Sequence, residues 1–233
     1  MRKFAILTLF LSFLSVGTLG AEVKMAVLAA SGKAGSLIVK EALSHKDIEV
    51  SAFVRNSKKA SFDSKVKVIQ KDIFALKAQD LQGFDVIIDA FGEWKDLSLH
   101  KKHMEHLVKI LKNNNAKLVV VGGAGSLYVD KTHTKMLMDM PDFPKEYLSV
   151  AKATAEGLAV LRGQKTLHWV YVSPPATFIA TAPKTGKYEI IGEEFKTNAK
   201  GESKGSYADF ASAIIEIALS PKYDRQRVGV IGK

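Results

Sequence analysis

Cysteine does not occur in the 233 residues. Its absence excludes disulfides, thiolate metal sites and thiol nucleophiles together, and leaves the redox compartment open. Internal repeats and low-complexity tracts are missing too, which sets aside solenoids and propellers. Basic residues outnumber acidic ones, with a formal net charge of +10, yet no long basic block occurs. The densest stretch, "NSKKASFDSKVKVIQK", contains Asp63. That pattern reads as a solvated basic surface and not as a nucleic-acid interface. The one G-x-S-x-G string, "GESKG" (201–205), follows a polar stretch and no apolar strand, so it is not a nucleophile elbow and serine hydrolysis of that kind is excluded.

Apolar residues are 47% and charged residues 25%, the balance of an ordinary globular protein of one domain. The chain opens "MRKFAILTLFLSFLSVGTLG". Arg2 and Lys3 form a positive start, Phe4 to Val16 an apolar stretch, and Thr18, Gly20 and Ala21 a small-residue cleavage region. This is the pattern of an export signal, and the apolar stretch is short for a membrane span of roughly 20 residues. Residues 1–20 are therefore expected to be a signal peptide and 21–233 the mature domain. The expected destination is the periplasm or the medium, with no membrane anchor left after cleavage. A start at Met25 would instead leave the protein in the cytoplasm.

From there on, strands alternate with helices. "KMAVLAA", "IEVSAFV" (48–54), "VKVIQKD" (66–72), "DVIIDAF" (85–91), "KLVVVGGAG" (117–125) and "LHWVYVSP" (167–174) read as strands. Ala34, Leu37, Ile38 and Ala42 recur at helical spacing, as do Met104, Leu107, Val108 and Leu111, and "YLSVAKATAEGLAVLR" (147–162) forms a further helix. Alternation of this kind predicts an α/β, doubly wound, mainly parallel sheet in a single domain, with ligands at the C-terminal ends of the strands. Near the C-terminus the sequence predicts a small hairpin or irregular insert around Gly192. Ser206 opens the helix "SYADFASAIIEIAL", with Asp209 in an acidic version of the capping box. "RVGVI" reads as a short edge strand.

Between the first strand and first helix stands "AVLAASGKAGS", with Ala29, Gly32 and Gly35 three residues apart. A glycine at 32 lets backbone approach a pyrophosphate, the helix N-terminus offers N–H groups and a positive dipole end, and a glycine at 35 lets the helix pack closely on the strand. Ala29, Ser31, Gly32, Lys33, Ala34 and Gly35 are thus expected to cradle a dinucleotide. An acidic residue after the second strand would hold the ribose hydroxyls of NAD. None is there; Arg55 follows, then Asn56, Ser57, Lys58 and Lys59. An arginine fork suits a 2′-phosphate, so NADP(H) is favoured over NAD(H), with Arg55 and Lys58 on the phosphate. Asp72 and Ile73 are placed to touch adenine, and Phe91, Gly92, Gly123 and Pro174 to line the remainder of the cofactor.

"AASGKAGSLIVKEAL", "VRNSKK", "DVIIDAFG", "LVVVGGAGSLYVD", "PDFPKEYL", "YVSPPATF", "TGKY" and "AKGESKGSYADFA" occur in that order. Together they resemble the atypical short-chain dehydrogenase/reductase group of NAD(P)H-flavin reductases, whose wider relatives include biliverdin reductase B. The resemblance spans residues 24 to 232. It implies an NAD(P)H-binding Rossmann domain that reduces flavins or similar acceptors. Two departures stand out. The family has glycine where this chain has Ala29, which is tolerable at negative φ and costly otherwise. The short-chain dehydrogenase pair Tyr-x-x-x-Lys is also missing, because Lys152 lies five residues after Tyr147 and so off its helical face. The flavin-reductase group lacks that pair generally.

His100, His103 and His106 drift around their helix without an acidic or cysteine partner at matching spacing, so no metal is assigned. Ser126, after the fifth strand, is the candidate for orienting a substrate carbonyl. His168 precedes the sixth strand and is expected at the opposite edge of the sheet. Phe91, Ser126, Tyr147 and Phe178 are the expected substrate pocket, Pro174 and Pro175 stiffen one wall, and "DMPDFPKEY" (139–147) is a candidate lid. Two readings follow. One is an NAD(P)H-dependent reductase that hands hydride to a flavin or quinone. The other is an exported, non-catalytic binding protein on the same scaffold, with the cofactor site lost or purely structural.

Overall fold

The computed structural model describes residues 22–233; the export signal read over residues 1–20 lies outside the described residues. The chain runs β1 (Val23–Leu28), α1 (Lys33–Ala42), β2 (Ile48–Val54), β3 (Lys67–Gln70), β4 (Val86–Asp89), α2 (Leu99–Ile110), β5 (Lys117–Val121), α3 (Lys145–Arg162) and β6 (Trp169–Ser173). It then adds β7 (Thr177–Ile179), β8 (Tyr188–Ile191), β9 (Lys204–Ser206), α4 (Tyr207–Leu219) and β10 (Gln226–Gly232).

The main sheet has the order β3-β2-β1-β4-β5-β6-β10-β8. Every pairing in it is parallel except β10 with β8. Met25 of β1 stands opposite Val50 of β2 and Val86 of β4, which fixes the centre of the register. This is the doubly wound Rossmann arrangement, and its strand order reverses between β1 and β4.

Apolar residues alternate between the two faces because successive strand side chains point opposite ways. Met25, Val27, Ile88, Val119, Val170 and Val172 meet Ile38, Phe210 and Ile214 of α1 and α4. Ala26, Leu28, Ile87, Leu118, Val120 and Tyr171 meet Met104, Leu107, Leu158 and Leu161 of α2 and α3. With both faces covered, the central strands carry apolar residues on both faces, as Val86, Ile87 and Ile88 of β4 show.

Two expectations change. "RVGVI" is not an edge strand: β10 lies between β6 and β8 and is buried along nearly its whole length. The segment before Gly192 is no local hairpin either. It is the edge strand β8, paired antiparallel with β10, so Ile191 meets Gly229 from far along the chain. A parallel pair of short strands, β7 and β9, forms beside the main sheet. Among the described residues, no helix is long and apolar enough to cross a membrane.

Candidate functional site

The loops after β1 and β4 open onto the crevice where the strand order reverses. Ala29 begins the first of them with φ +52°, and its carbonyl accepts the N–H of Gly32 at 3.0 Å. Gly32 is the N-cap of α1 and offers no side chain to it. The first bond of that helix is Ser36 N–H to Gly32 C=O at 2.9 Å, so the N–H groups of Lys33, Ala34 and Gly35 precede the intrahelical ladder. They point out of the helix end together with its positive dipole. A Cβ on Gly35 would stand 2.6 Å from the Ala29 carbonyl oxygen and 2.9 Å from Ala30 Cα. Only glycine lets α1 sit that close to the turn. A Cβ on Gly32 would stand 3.2 Å from the same oxygen, a tight contact but one that a small shift relieves.

Arg55 follows β2 at the next loop and is exposed, as is Lys58. The loop itself is built. Asn56 Oδ1 accepts Lys58 N–H at 3.0 Å, and Gln70 Oε1 of β3 accepts Ser57 N–H at 3.2 Å. Neither Arg55 nor Lys58 forms a salt bridge among the described residues, so both cations face solvent beside the crevice. Asp72 caps a short turn over Ile73–Ala75, accepting Phe74 N–H at 2.9 Å, which leaves Ile73 half-buried beside it.

On the β4 side the structure holds a pair that the helical pattern had not separated from its neighbours. Asp89 ends β4 and is buried, as is His103 of α2. His103 Nε2 lies 3.2 Å from Asp89 Oδ1, a close polar contact without a formed hydrogen bond. The same Asp89 oxygen accepts Phe91 N–H at 3.1 Å. The Phe91 ring stacks on His103 at 4.3 Å, and Phe74 meets Phe91 edge-on at 6.0 Å. Phe91 is therefore held by backbone and ring alike, while Gly92 beyond it opens onto empty space. His100 and His106 each bond a backbone carbonyl, of Glu93 and Leu76. The signal for His103 was its i, i+4 relation to Leu107, which puts it on the buried face.

The "GGAGSLYVD" segment serves mostly to brace the fold. A Cβ on Gly122 would fall inside the Tyr171 ring, 2.1 Å from its nearest carbon. Gly123 N–H donates to Tyr171 Oη at 2.9 Å, and that hydroxyl lies 3.3 Å from the Thr154 carbonyl of α3. Burial pushes the Tyr171 phenol up, so it stays protonated as the clamp between β5 and α3. Ser126 is a correction. It is 4% exposed, and its Oγ accepts from Arg227 Nη1 at 3.2 Å, so its hydroxyl faces β10 and not a substrate. Arg227, fully buried, also binds Glu193 through Nε at 2.8 Å. Asp130 closes the next turn on the Thr132 hydroxyl and on Lys135 N–H, donors that hold its carboxyl well below the usual range.

Of the other expected pocket residues, Tyr147 is 50% exposed on the first turn of α3. Phe178 is committed to packing, stacked on Tyr207 at 3.6 Å. Pro174 and Pro175 are buried after β6, behind Ser173, whose buried hydroxyl has no hydrogen-bond partner. The candidate lid is anchored where Phe143 packs over Gly125. His168 lies at the opposite edge, 3.1 Å from Asp224.

Residues 29–221 match the family described as NAD(P)H-binding. YwnB of Bacillus subtilis (strain 168), itself uncharacterised, is 40% identical over 212 residues, which is 90% of this chain and 99% of YwnB. A Streptococcus pneumoniae TIGR4 structure, provisionally named an NADH-flavin reductase, is 43% identical with a TM-score of 0.86, covering 91% of this chain and 100% of that one. A Burkholderia pseudomallei structure, provisionally named an exported protein, is 29% identical with a TM-score of 0.80, covering 90% and 99%.

Proposed function

The chain belongs to the NAD(P)H-binding family, and on that premise we propose that it is a reductase that uses NADPH in preference to NADH and passes hydride to a flat, electron-poor acceptor of the flavin or quinone kind. The turn from Ala29 to Gly35 carries this reading. It combines an uncapped helix N-terminus with backbone bare of side chains at Gly32, the combination that a pyrophosphate requires. The Streptococcus pneumoniae relative, through its provisional name, supports the flavin class of acceptor.

A bound nicotinamide supplies the hydride from its C4. The chain's own residues do the rest. The N–H groups of Lys33, Ala34 and Gly35 receive the pyrophosphate, and Arg55, with Lys58, reads the 2′-phosphate. Asp89 and His103 set Phe91 against the crevice, where its ring offers apolar surface to a flat partner. No acid is needed at the acceptor, because a reduced flavin or quinone takes its proton from water. The protein's contribution is proximity and orientation. We place this reaction outside the cytoplasm, a reading supported by the N-terminal export pattern and by the name of the Burkholderia pseudomallei relative.

Calorimetry with NADPH and NADH tests the cofactor arm. Arg55→Ala is expected to weaken NADPH by ~ten- to a hundredfold and leave NADH nearly unchanged. Gly32→Val, whose backbone at φ −72° and ψ 170° accepts a branched residue, should keep the fold and abolish binding of both. Wild-type protein should oxidise NADPH when FMN or a quinone is present, and Gly32→Val should not. A folded wild type that binds neither nucleotide at millimolar concentration would overturn the reading.

A further inference from the structure

At the opposite edge of the sheet, where β6 and β10 begin, lies a cavity of about 420 Å³. Its lining includes Trp169, the first residue of β6. Arg162 reaches it from the last turn of α3, Lys165 from the loop beyond, and Arg225 from the turn before β10. We propose that this cavity is a second ligand site, one that binds a small oxyanion of the phosphate kind, apart from the nucleotide crevice.

The charge balance points that way. Glu193 shares one oxygen between Arg162 Nη2 at 2.6 Å and Arg227 Nε at 2.8 Å, so one carboxylate answers two guanidinium groups. Asp224 is divided between Arg225 at 3.0 Å and His168 at 3.1 Å. Lys165 forms no ion pair among the described residues. Of the residues that line the cavity three are cations, Arg162, Lys165 and Arg225, and one is a carboxylate, Glu193, so the cavity is positive. Arg162 has an ordinary structural reason to be there, since a cation suits the C-terminal end of α3. Arg225 pairs with the neighbouring Asp224, and Lys165 has no such partner among the described residues.

Arg225 supplies a second observation, independent of charge. Its φ is +45°, a left-handed conformation that glycine adopts freely and a long branched-head side chain does not favour. A guanidinium kept at a strained turn and aimed along a cavity wall is the kind of compromise found where a ligand is held. Trp169 lines the same cavity while the bulk of its indole, 3% exposed, is packed in the core. A wall of forked and point-like cations matches a tetrahedral oxyanion, which accepts from both kinds of donor.

The chain's two tryptophans make the test direct. Trp169 lines this cavity, and Trp94 lies 69% exposed in the loop after β4, at the nucleotide edge. In a ¹⁵N spectrum the two indole signals report the two edges separately. Inorganic phosphate should shift the Trp169 signal saturably, and Lys165→Glu should raise the apparent Kd at least ~tenfold. Arg225→Gly should weaken phosphate similarly while raising the thermal midpoint, because it relieves the left-handed strain; lost binding in a more stable protein is not misfolding. Glycerol 3-phosphate binding more tightly than phosphate would assign the site to a phosphorylated metabolite, and equal binding would assign it to the free ion. The proposal is overturned if the Trp169 signal stays still, if sodium chloride at equal ionic strength reproduces the shift, or if both variants titrate like wild type. None of these outcomes depends on whether NADPH binds at the other edge.

Discussion

Ala29 stands at φ +52° because the chain has to turn sharply out of β1 for its carbonyl to receive Gly32 N–H and for Ala30 N–H to reach Phe53. A Cβ in that region crowds the following carbonyl and costs about 1 kcal/mol or more. The surrounding bonds hold it there regardless. Ala29→Gly should therefore stabilise the protein, by about 0.5–1 kcal/mol after the greater freedom of glycine in the unfolded chain is subtracted. For a chain of this size that is a rise of roughly 1–4 °C in Tm, readable by calorimetry. A Tm that falls or stays still would mean that the turn relaxes without its Cβ being strained. The sequence exposed the question here, since the family glycine was missing at 29, but it did not carry the sign of φ. Ser126 shows the opposite limit. Its place after β5 was legible, yet its direction depended on Arg227, a residue one hundred and one positions away in the chain.

At the scale of elements, α4 shows how local chemistry and distant chain meet. Ser206 caps it by accepting Asp209 N–H at 2.9 Å, as the spacing predicted. The carboxylate of Asp209 does not return to the Ser206 backbone. Its oxygens receive Thr185 N–H at 2.8 Å, Gly186 N–H at 2.7 Å and the hydroxyls of Thr185 and Ser206, tying the "TGKY" turn to the helix start. Burial pushes this carboxyl up, but the donors from Gly186, Thr185 and Ser206 together outweigh it, and its pKa is held below the ordinary 3.8. A depressed folded pKa gives stability that is present above the unfolded value and lost as pH falls through the folded one. Asp209→Asn keeps one acceptor and misplaces a donor, so it should cost about 1–3 kcal/mol at pH 7 in urea unfolding. The gap to wild type should narrow as pH falls below 3.8, where the unfolded chain's carboxyl takes up a proton first and the folded one follows at lower pH. A gap that is the same at both ends of the range would exclude the charged carboxylate as its source.

The elements that were legible are those whose periodicity is local. β2 was bounded correctly by its own apolar run, and α3 was found by its helical face with its end at Arg162, though it starts two residues earlier, at Lys145. Neighbour relations were not legible. "RVGVI" shows a buried strand but not that β8 would cover its outer side, and its arginine reads as surface until Glu193 is seen beside it. A charged residue inside an apolar strand demands a buried partner, and that demand was the available signal. Gly32 and Gly35 were legible because their role is set by backbone geometry within a few residues. The Asp89–His103 support of Phe91 was not, because it joins a strand end to the middle of a helix.

Over the whole molecule, the sheet keeps its two edges apart. The crevice proposed for the nucleotide lies at the C-terminal ends of β1 and β4, and the cationic cavity at the N-terminal ends of β6 and β10, with the packed faces of β4, β5 and β6 in between. Each edge carries a left-handed residue that is not glycine, Ala29 on one and Arg225 on the other. They share no hydrogen-bond partner: Ala29 meets Gly32, and Arg225 meets Asp224. Substitutions that are distant and have separate partners add to within about 0.3–0.5 kcal/mol. The double variant Ala29→Gly with Arg225→Gly should thus gain the sum of the two single gains, measured by denaturant unfolding with an unchanged m-value. A shortfall beyond that margin would mean that the edges communicate through the sheet, and a ligand at the cationic cavity would then be expected to alter nucleotide affinity by the same coupling energy, in both directions.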